Sequence, residues 1–509
     1  MKDKIIFWLD ADLKQFALAK FLQEKYDADF YAIVDITNKP KQFFQDQNIV
    51  NFKKIWFYHD YISINKTTDV QYLDMIENKY DLNLWIIAQN ERLFYRFNDF
   101  YKFSRDEIMS ILEQECKLFE QVLDEIKPDF LIIKTTDFHH NHLFHKMCKS
   151  RGIKILMNAQ ARLGYRCTIS QELDKFDFEE DLSSVDASGK SFDELEKILK
   201  GNNMFKQTLY YKNKYINSKK MQLKAAFAYL LSSNDHVKTH YTYFGRSKSR
   251  VLSYELKQLI KKKLRERFLN NNSVRSIDDR SPFVYYPLQH EPERSLLVAA
   301  PFYTNQIVTI KNIAMSLPAN YRLCVKEHPT MHYRGWRDIE FYKQIIDIPN
   351  VDFLHPLIDP HEILTKCSLV ITATGTGALE AAFYQKPSII FSSMNYELIP
   401  SIYRLKTPEE LPTMIKKLLK TQVSSTILEK FIKIYEKNSF EFDLLSLQLS
   451  YTDYFFYGGF LVDVPISISK MNSYLEENRA VLEIFALEHI KKIKQHKEFS
   501  LKKENIVKE

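Results

Sequence analysis

Two periodicities alternate along this chain. An apolar run from Ile5 to Leu9 gives way to helical spacing from Leu13 to Lys25, and a second apolar run spans Asp29 to Asp35. Short buried strands separated by amphipathic helices predict a parallel sheet with crossover helices. The pattern recurs downstream. "SRDEIMSILEQECKLFEQVLDEI" reads as a long helix with Ser104 as its N-cap, followed by the strand "KPDFLIIKT", a helix through "HLFHKMCKSRG" and the strand "IKILMN". Residues 1–170 are therefore read as one Rossmann-like domain. From 171 to 280 an acidic loop leads into lysine-rich helices and the connector "NNNSVRSIDDRSP", a helical insertion or linker. A second strand and helix alternation begins at "PFVYYPL". It runs through a helix (Asn305 to Ser316), "YRLCVK", "VDFLH", "SLVITAT" and "PSIIFSS", so that 281–412 is a second Rossmann-like domain. Residues 413–509 read as helical, with a basic tail expected to be solvated or frayed. The expected fold class is α/β, two doubly wound domains with a helical linker and a helical C-terminal region.

Composition narrows the class. The 509 residues exceed what one ordinary core organises, and 45% hydrophobic against 27% charged residues is the balance of a soluble globular protein. A net charge of +7 is a mild excess that demands no nucleic acid. Five cysteines stand singly, with no C-x-x-C pair, and are expected to be reduced and packed. The start carries no pattern of a signal peptide, and no apolar run has the length of a membrane span, so a cytoplasmic protein is expected. Only ten glycines occur, which makes each retained glycine informative.

In open α/β sheets ligands sit beyond the carboxyl ends of the strands, so polar residues at those ends are the candidates for chemistry. In the second domain, "YRLCVKEHP" stops at Lys326, Glu327 and His328, a cation and an imidazole suited to a phosphate or to nothing more than a surface turn. "SLVITATGTGALEAAFYQ" runs a strand into Thr374, Gly375, Thr376 and Gly377 at a helix start, where backbone N–H groups favour an anion. Neither a dinucleotide fingerprint nor a P-loop is present, because a third glycine and a Gly-Lys-Ser/Thr are missing. Glu380 is either a favourable charge in the first helical turn or a ligand for a ribose diol. After the first strand of this domain come Gln289, His290, Glu291 and Glu293, with Gln306, a candidate ligand for the donor, opening the next helix. His290 beside Glu291 is a candidate acid/base or hydroxyl-binding pair, against capping and solvation.

In the first domain the equivalent positions are Asp10, Asp12 and the run "TTDFHHNH". Asp137 and His139 are candidate bases for an acceptor hydroxyl, against a satisfied loop histidine. The spacing of Asp137, His139 and His140 matches no dedicated metal motif, and no metal is expected.

The succession "PLQHEPERS", "YTNQ", "VKEHP", "DPHEIL" and "VITATGTGALEAAFYQKPSIIF", from about Phe283 to Ser393, resembles the C-terminal domain of bacterial capsule and surface polysaccharide biosynthesis proteins, glycosyltransferases of the two-domain GT-B fold. The resemblance implies a nucleotide-sugar donor, CMP- or UDP-linked, held by Lys326, His328, Gly375, Thr376 and Glu380. It implies a glycan or lipid-linked acceptor and base in the N-terminal domain, no separate cofactor, and a role in capsule or lipopolysaccharide synthesis. Retaining members often carry two glutamates eight positions apart; here Thr372 and Ser388 flank Glu380 at that spacing, which favours inversion. Three other readings stay open: a nucleotide-sugar 2-epimerase, a teichoic-acid-type glycerophosphotransferase, and a non-catalytic GT-B scaffold. The basic run "KQLIKKKLRER" suits either an anionic membrane surface, and with it peripheral association, or a solvated linker helix.

Overall fold

The computed structural model describes residues 2–64, 67–178, 180–201, 219–278, 281–328, 331 and 337–508. Pro329, expected to stop its strand, and Asp279 and Arg280 of the connector lie outside the described residues. The first strands in chain order are β1 (Asp3–Asp10), β2 (Ala28–Asp35), β3 (Phe52–Phe57), β4 (Phe130–Lys134), β5 (Lys154–Gln160) and β6 (Arg166–Ser170). Then come β7 (Phe283–Pro287), β8 (Arg322–Lys326), β9 (Val351–Leu354), β10 (Leu369–Thr372), β11 (Ser388–Ile390), β12 (Ile402–Arg404) and β13 (Phe440–Glu441).

The chain forms two compact units: Met1–Leu173, Asn203–Lys248 and Ser439–Glu509 make the first, Asp174–Asn202 and Ser249–Asn438 the second. The stretch read as a linker, 171–280, is thus shared between both, and the C-terminal helices belong to the first.

Unit 1 is built on a seven-stranded sheet of order β13-β6-β5-β4-β1-β2-β3. Strands β5, β4, β1, β2 and β3 pair in parallel, and β6 and β13 add antiparallel edges. Side chains of β1 alternate between two cores: Ile5, Phe7 and Leu9 face one, Ile6 and Trp8 the other. Ser104 caps the helix Arg105–Ile126 in a full capping box with Glu107, as its sequence predicts. The terminal helix Arg479–Lys508 carries Leu482, Phe485, Ala486, Ile490 and Ile493 into the same core as Leu18 and Leu22 of the helix Lys14–Lys25. The expected solvated tail is therefore packed at least as far as His496, which is 3% exposed. Its lysines hid an apolar face at helical spacing.

Unit 2 is a six-stranded, all-parallel sheet of order β12-β11-β10-β7-β8-β9. Its core joins Val284, Tyr286, Val325, Ile371 and Ile389 of the strands to Ile310 and Ile313 of the helix Gln306–Ser316. The chain thus has the two doubly wound, Rossmann-like sheets expected from its sequence. All five cysteines are buried and unpaired. Among the described residues, no helix is long and apolar enough to cross a membrane.

Candidate functional site

Unit 2 winds from β7 through β8 to β9 in one direction and from β10 through β11 to β12 in the other, so the strand order reverses between β7 and β10. That reversal leaves a crevice at the carboxyl ends, where this class of sheet takes its ligands. Gln289 to Glu291 follow β7, Lys326 to His328 close the adjacent β8, and Thr374 to Gly377 follow β10. Folding brings three separated sequence motifs to one edge.

Lys326 is 2% exposed, and its ammonium makes no hydrogen bond or ion pair among the described residues. Burial pulls it down to about 8, with Asp359 and Glu327 opposing only in part. Burial and the neighbouring His290 imidazole pull His328 down to about 4, so it is neutral at physiological pH; the two rings stand 5.3 Å apart. The half-buried Glu380 sits in the first turn of the helix Gly377–Phe383, and its carboxylate makes no hydrogen bond or ion pair among the described residues. A cation with no direct ion-pair partner among the described residues, a neutral imidazole and a carboxylate are suited to a phosphate and a diol.

Other candidates have a different role. Glu291 accepts from Arg337 Nε at 3.2 Å, so it is an ion-pair partner rather than an open base. The same guanidinium binds Glu327 and the Gln289 carbonyl, and Glu327 also accepts from Tyr342 Oη at 2.5 Å. Arg337 is 5% exposed and is the residue sequence reasoning missed: eleven positions beyond the strand end, no motif announces it. His290 Nδ1 lies 2.6 Å from Glu293 Oε1. Gln306, 1% exposed, accepts from Gln289 N at 2.7 Å and donates to the Gln289 carbonyl at 3.3 Å, which corrects its reading as a donor ligand. Thr374 is likewise turned inward, donating to the Ser295 carbonyl at 2.9 Å. Gln289 Nε2 donates to Thr372 Oγ1 at 2.8 Å, and that hydroxyl accepts from Gly375 N at 3.1 Å, which ties the loop after β7 to the loop after β10. A Cβ on Gly375 would stand 2.7 Å from Thr372 Oγ1, so close approach requires glycine there; at Gly377 the nearest atom is Pro287 Cγ at 3.8 Å. Thr376 and Gly377 remain partly exposed at the loop.

In unit 1 the order reverses between β1 and β4. Lys134 Nζ lies 2.7 Å from Asp10 Oδ2, Lys14 binds Asp12, and Asp12 N donates to Asp10 Oδ1 at 2.7 Å. Burial raises the Asp10 carboxyl, the charges of Asp12 and Asp35 add to that, and Lys134 offsets only part. For Asp12 burial is outweighed by Lys14 and Lys134, and its pKa falls. Asp137 is half-buried and accepts from Thr135 Oγ1 at 3.2 Å.

His139 does not offer a base. Its Nδ1 faces Glu91 at 2.8 Å, its Nε2 faces Glu115 at 2.9 Å, and its side chain is fully buried. Although burial opposes the charge, Glu115 and Glu91 raise the imidazolium to about 10. Tyr241 Oη lies 3.0 Å from its Nε2 and 2.7 Å from Tyr58 Oη, and Tyr58 donates to Glu115. Asp35, at the end of β2, holds His140 Nε2 at 2.9 Å and His59 Nε2 at 3.0 Å. Sequence reasoning passed over Glu91, Glu115, Asp35 and His59, which lie far apart in the chain. Donor atoms of Glu115, His139 and His140 fall within 4.8 Å of one another, a spacing a metal ion would accept. Both nitrogens of His139 already face carboxylates, so its proton supplies the positive charge there.

Fold and strand-end chemistry define an α/β protein with two doubly wound units, one presenting an anion-receptive crevice. Residues 196–453, half of the chain, match the family model of capsule polysaccharide biosynthesis proteins, and the chain belongs to that family. Among solved structures it is similar to the UDP-GlcNAc 2-epimerase of Methanocaldococcus jannaschii, with 13% identity and a TM-score of 0.24 over 85% of this chain and 98% of that one. The UDP-GlcNAc 2-epimerase of Neisseria meningitidis, bound to UDP-GlcNAc, gives 11% identity and a TM-score of 0.23 over 86% and 99%. The β-Kdo 2,7-transferase of Thermosulfurimonas dismutans gives 12% and 0.28 over 62% and 78%. Likeness at this level establishes neither substrate nor reaction. No curated protein matches the sequence significantly.

Proposed function

We propose that this capsule-biosynthesis protein is a glycosyltransferase that takes its sugar from a nucleotide donor bound in unit 2. The observation that carries the reading is Lys326: a nearly buried ammonium with no direct hydrogen bond or ion pair among the described residues, its burial offset only in part by the charges of Asp359 and Glu327, at the carboxyl end of β8 beside the strand-order reversal. An unpaired buried cation is costly, and a bound phosphate removes that cost. His328, being neutral, donates a hydrogen bond to a phosphoryl oxygen, and Glu380 takes the ribose hydroxyls. His290 orients His328.

Unit 1 takes the glycan or lipid-linked acceptor. Asp137 is its base, within reach of the Lys134 charge that also holds Asp10; His139 is a structural cation. Transfer proceeds with inversion and without a metal: the acceptor oxygen attacks the anomeric carbon, its proton passes to the carboxylate, and the bond to the phosphate breaks as Lys326 receives the developing charge. A CMP- or UDP-linked sugar is the donor expected for this site.

The test is a thermal-shift panel with CMP, CDP, UDP and GDP, since a ligand at about 100 times its Kd adds about 2.7 kcal/mol to the native state. A shift with one nucleotide, lost in Lys326→Ala, supports the donor site; no shift with any of them refutes it. With the matching sugar nucleotide and a capsule oligosaccharide, NMR of the product's anomeric centre reads the stereochemistry. Release of an epimerised sugar nucleotide without acceptor would replace transfer by epimerisation.

A further inference from the structure

The helix Lys248–Asn272 presents the wrong face to water for a soluble linker. Arg265 and Leu269 are its buried residues, each 2% exposed. On the opposite side Leu256 is 64% exposed, Leu259 61%, Ile260 62% and Leu264 55%, with Leu252 at 41%. At 100° per residue these five occupy one arc about 140° wide, the width of an apolar helix face. Lys257 and Lys261 follow that arc on one flank, and Lys263 and Arg267 rise within its C-terminal half, all four exposed. In unit 1 the helix Lys219–Leu231 repeats the arrangement: Leu223 is 72% exposed, Phe227 66%, Leu230 47% and Leu231 72%, with Lys220 and Lys224 on the same side.

Single exposed leucines need no explanation, but nine large apolar residues gathered on two helix faces do. We infer that the helix Lys248–Asn272 is an interfacial element that seats the protein on an anionic membrane surface, its apolar face at the acyl boundary and its lysines among the headgroups, and that the helix Lys219–Leu231 is an element of the same kind within its own unit. Charge decides between a membrane and a second copy of the chain. Interface cores are depleted of lysine, and pairing two copies of either face would bring like charges together, a repulsion that costs rather than contributes. Long cationic side chains beside an apolar face instead extend to the headgroups of anionic lipid while their stems stay apolar. The inference does not depend on the donor assignment.

Flotation of the full chain with vesicles of phosphatidylcholine, with or without about 30 mol% phosphatidylserine, tests it. The protein is expected to float with the anionic vesicles, to be lost from them as salt rises from ~0.1 to ~0.5 M, and to stay behind with neutral ones. Each Lys→Gln change at Lys257, Lys261 or Lys263 is expected to weaken partitioning about fivefold, and Leu256→Ser with Ile260→Ser to abolish it. Circular dichroism and the melting temperature of these surface variants are expected to match the parent. Wild type remaining lipid-free at low salt would overturn the inference, as would a self-associated form that the Leu256 and Ile260 changes convert to monomer without affecting flotation.

Discussion

Replacing His139 by glutamine tests whether this residue is a base or a buried cation. In the native structure its imidazolium joins Glu91 to Glu115, and the glutamine amide leaves the two carboxylates without a positive charge between them. A rise from the ordinary 6.5 to about 10, at about 1.4 kcal/mol per pH unit, sets the contribution at no more than about 5 kcal/mol. Removing one member of a buried ion pair independently costs about 3–5 kcal/mol. Because the folded-state value lies above the unfolded one, the stabilisation is complete below pH 6.5 and is lost as pH rises through about 10. Urea unfolding followed by the fluorescence of Trp8 and Trp56, both buried in unit 1, reads it directly. At pH 6.5 the variant is expected to lose about 3–5 kcal/mol. Between pH 7 and 9.5 the wild type is expected to lose up to about 1.4 kcal/mol per pH unit more than the variant. Equal stabilities within about 1 kcal/mol, together with loss of transfer activity, would refute the clamp and restore His139 as the base.

Three more outcomes follow from unit 2. Arg337→Met leaves Glu327 and Glu291 without their shared cation and is expected to cost about 3–5 kcal/mol in denaturant unfolding; a cost below about 1 kcal/mol would mean that the pairs are dispensable. Lys326, held at about 8 by burial, is a charge the unliganded fold carries at a loss below that pH. Lys326→Met is therefore expected to stabilise the free protein at pH 7 by up to about 3 kcal/mol, read as a higher melting temperature, while removing the nucleotide-induced shift; a destabilised variant contradicts the assignment. Gly375→Ala pushes a methyl group to 2.7 Å from Thr372 Oγ1 and is expected to cost about 1–3 kcal/mol, whereas Gly377→Ala should fall within about 0.5 kcal/mol of wild type, as a calorimetric comparison will show.

By itself the sequence determined the two doubly wound sheets, because apolar period and buried-strand length are local properties: β1, β2, β4, β5 and the strands β7 to β11 all stand where their hydrophobic runs lie. It also marked the strand ends, since polar residues that close an apolar run must emerge at the sheet's edge, and Lys326, His328 and the Thr374 to Gly377 loop do so. The two-residue β13, the edge strand β6 and the return of the C-terminal helix to unit 1 were decided by pairing over long separations, which leaves no periodic trace. The same holds for roles. Whether a histidine is a base or a bridging cation depends on what faces both its nitrogens, and Glu91 and Glu115 reach His139 from 48 and 24 residues away. Likewise Arg337 turned Glu291 from a candidate base into an ion-pair partner, and Gln289 turned Gln306 from a candidate ligand into a loop anchor. Chemistry was legible as residue type at a strand end; protonation, partner and access were fixed only when the tertiary fold set the dielectric and the neighbours around each group.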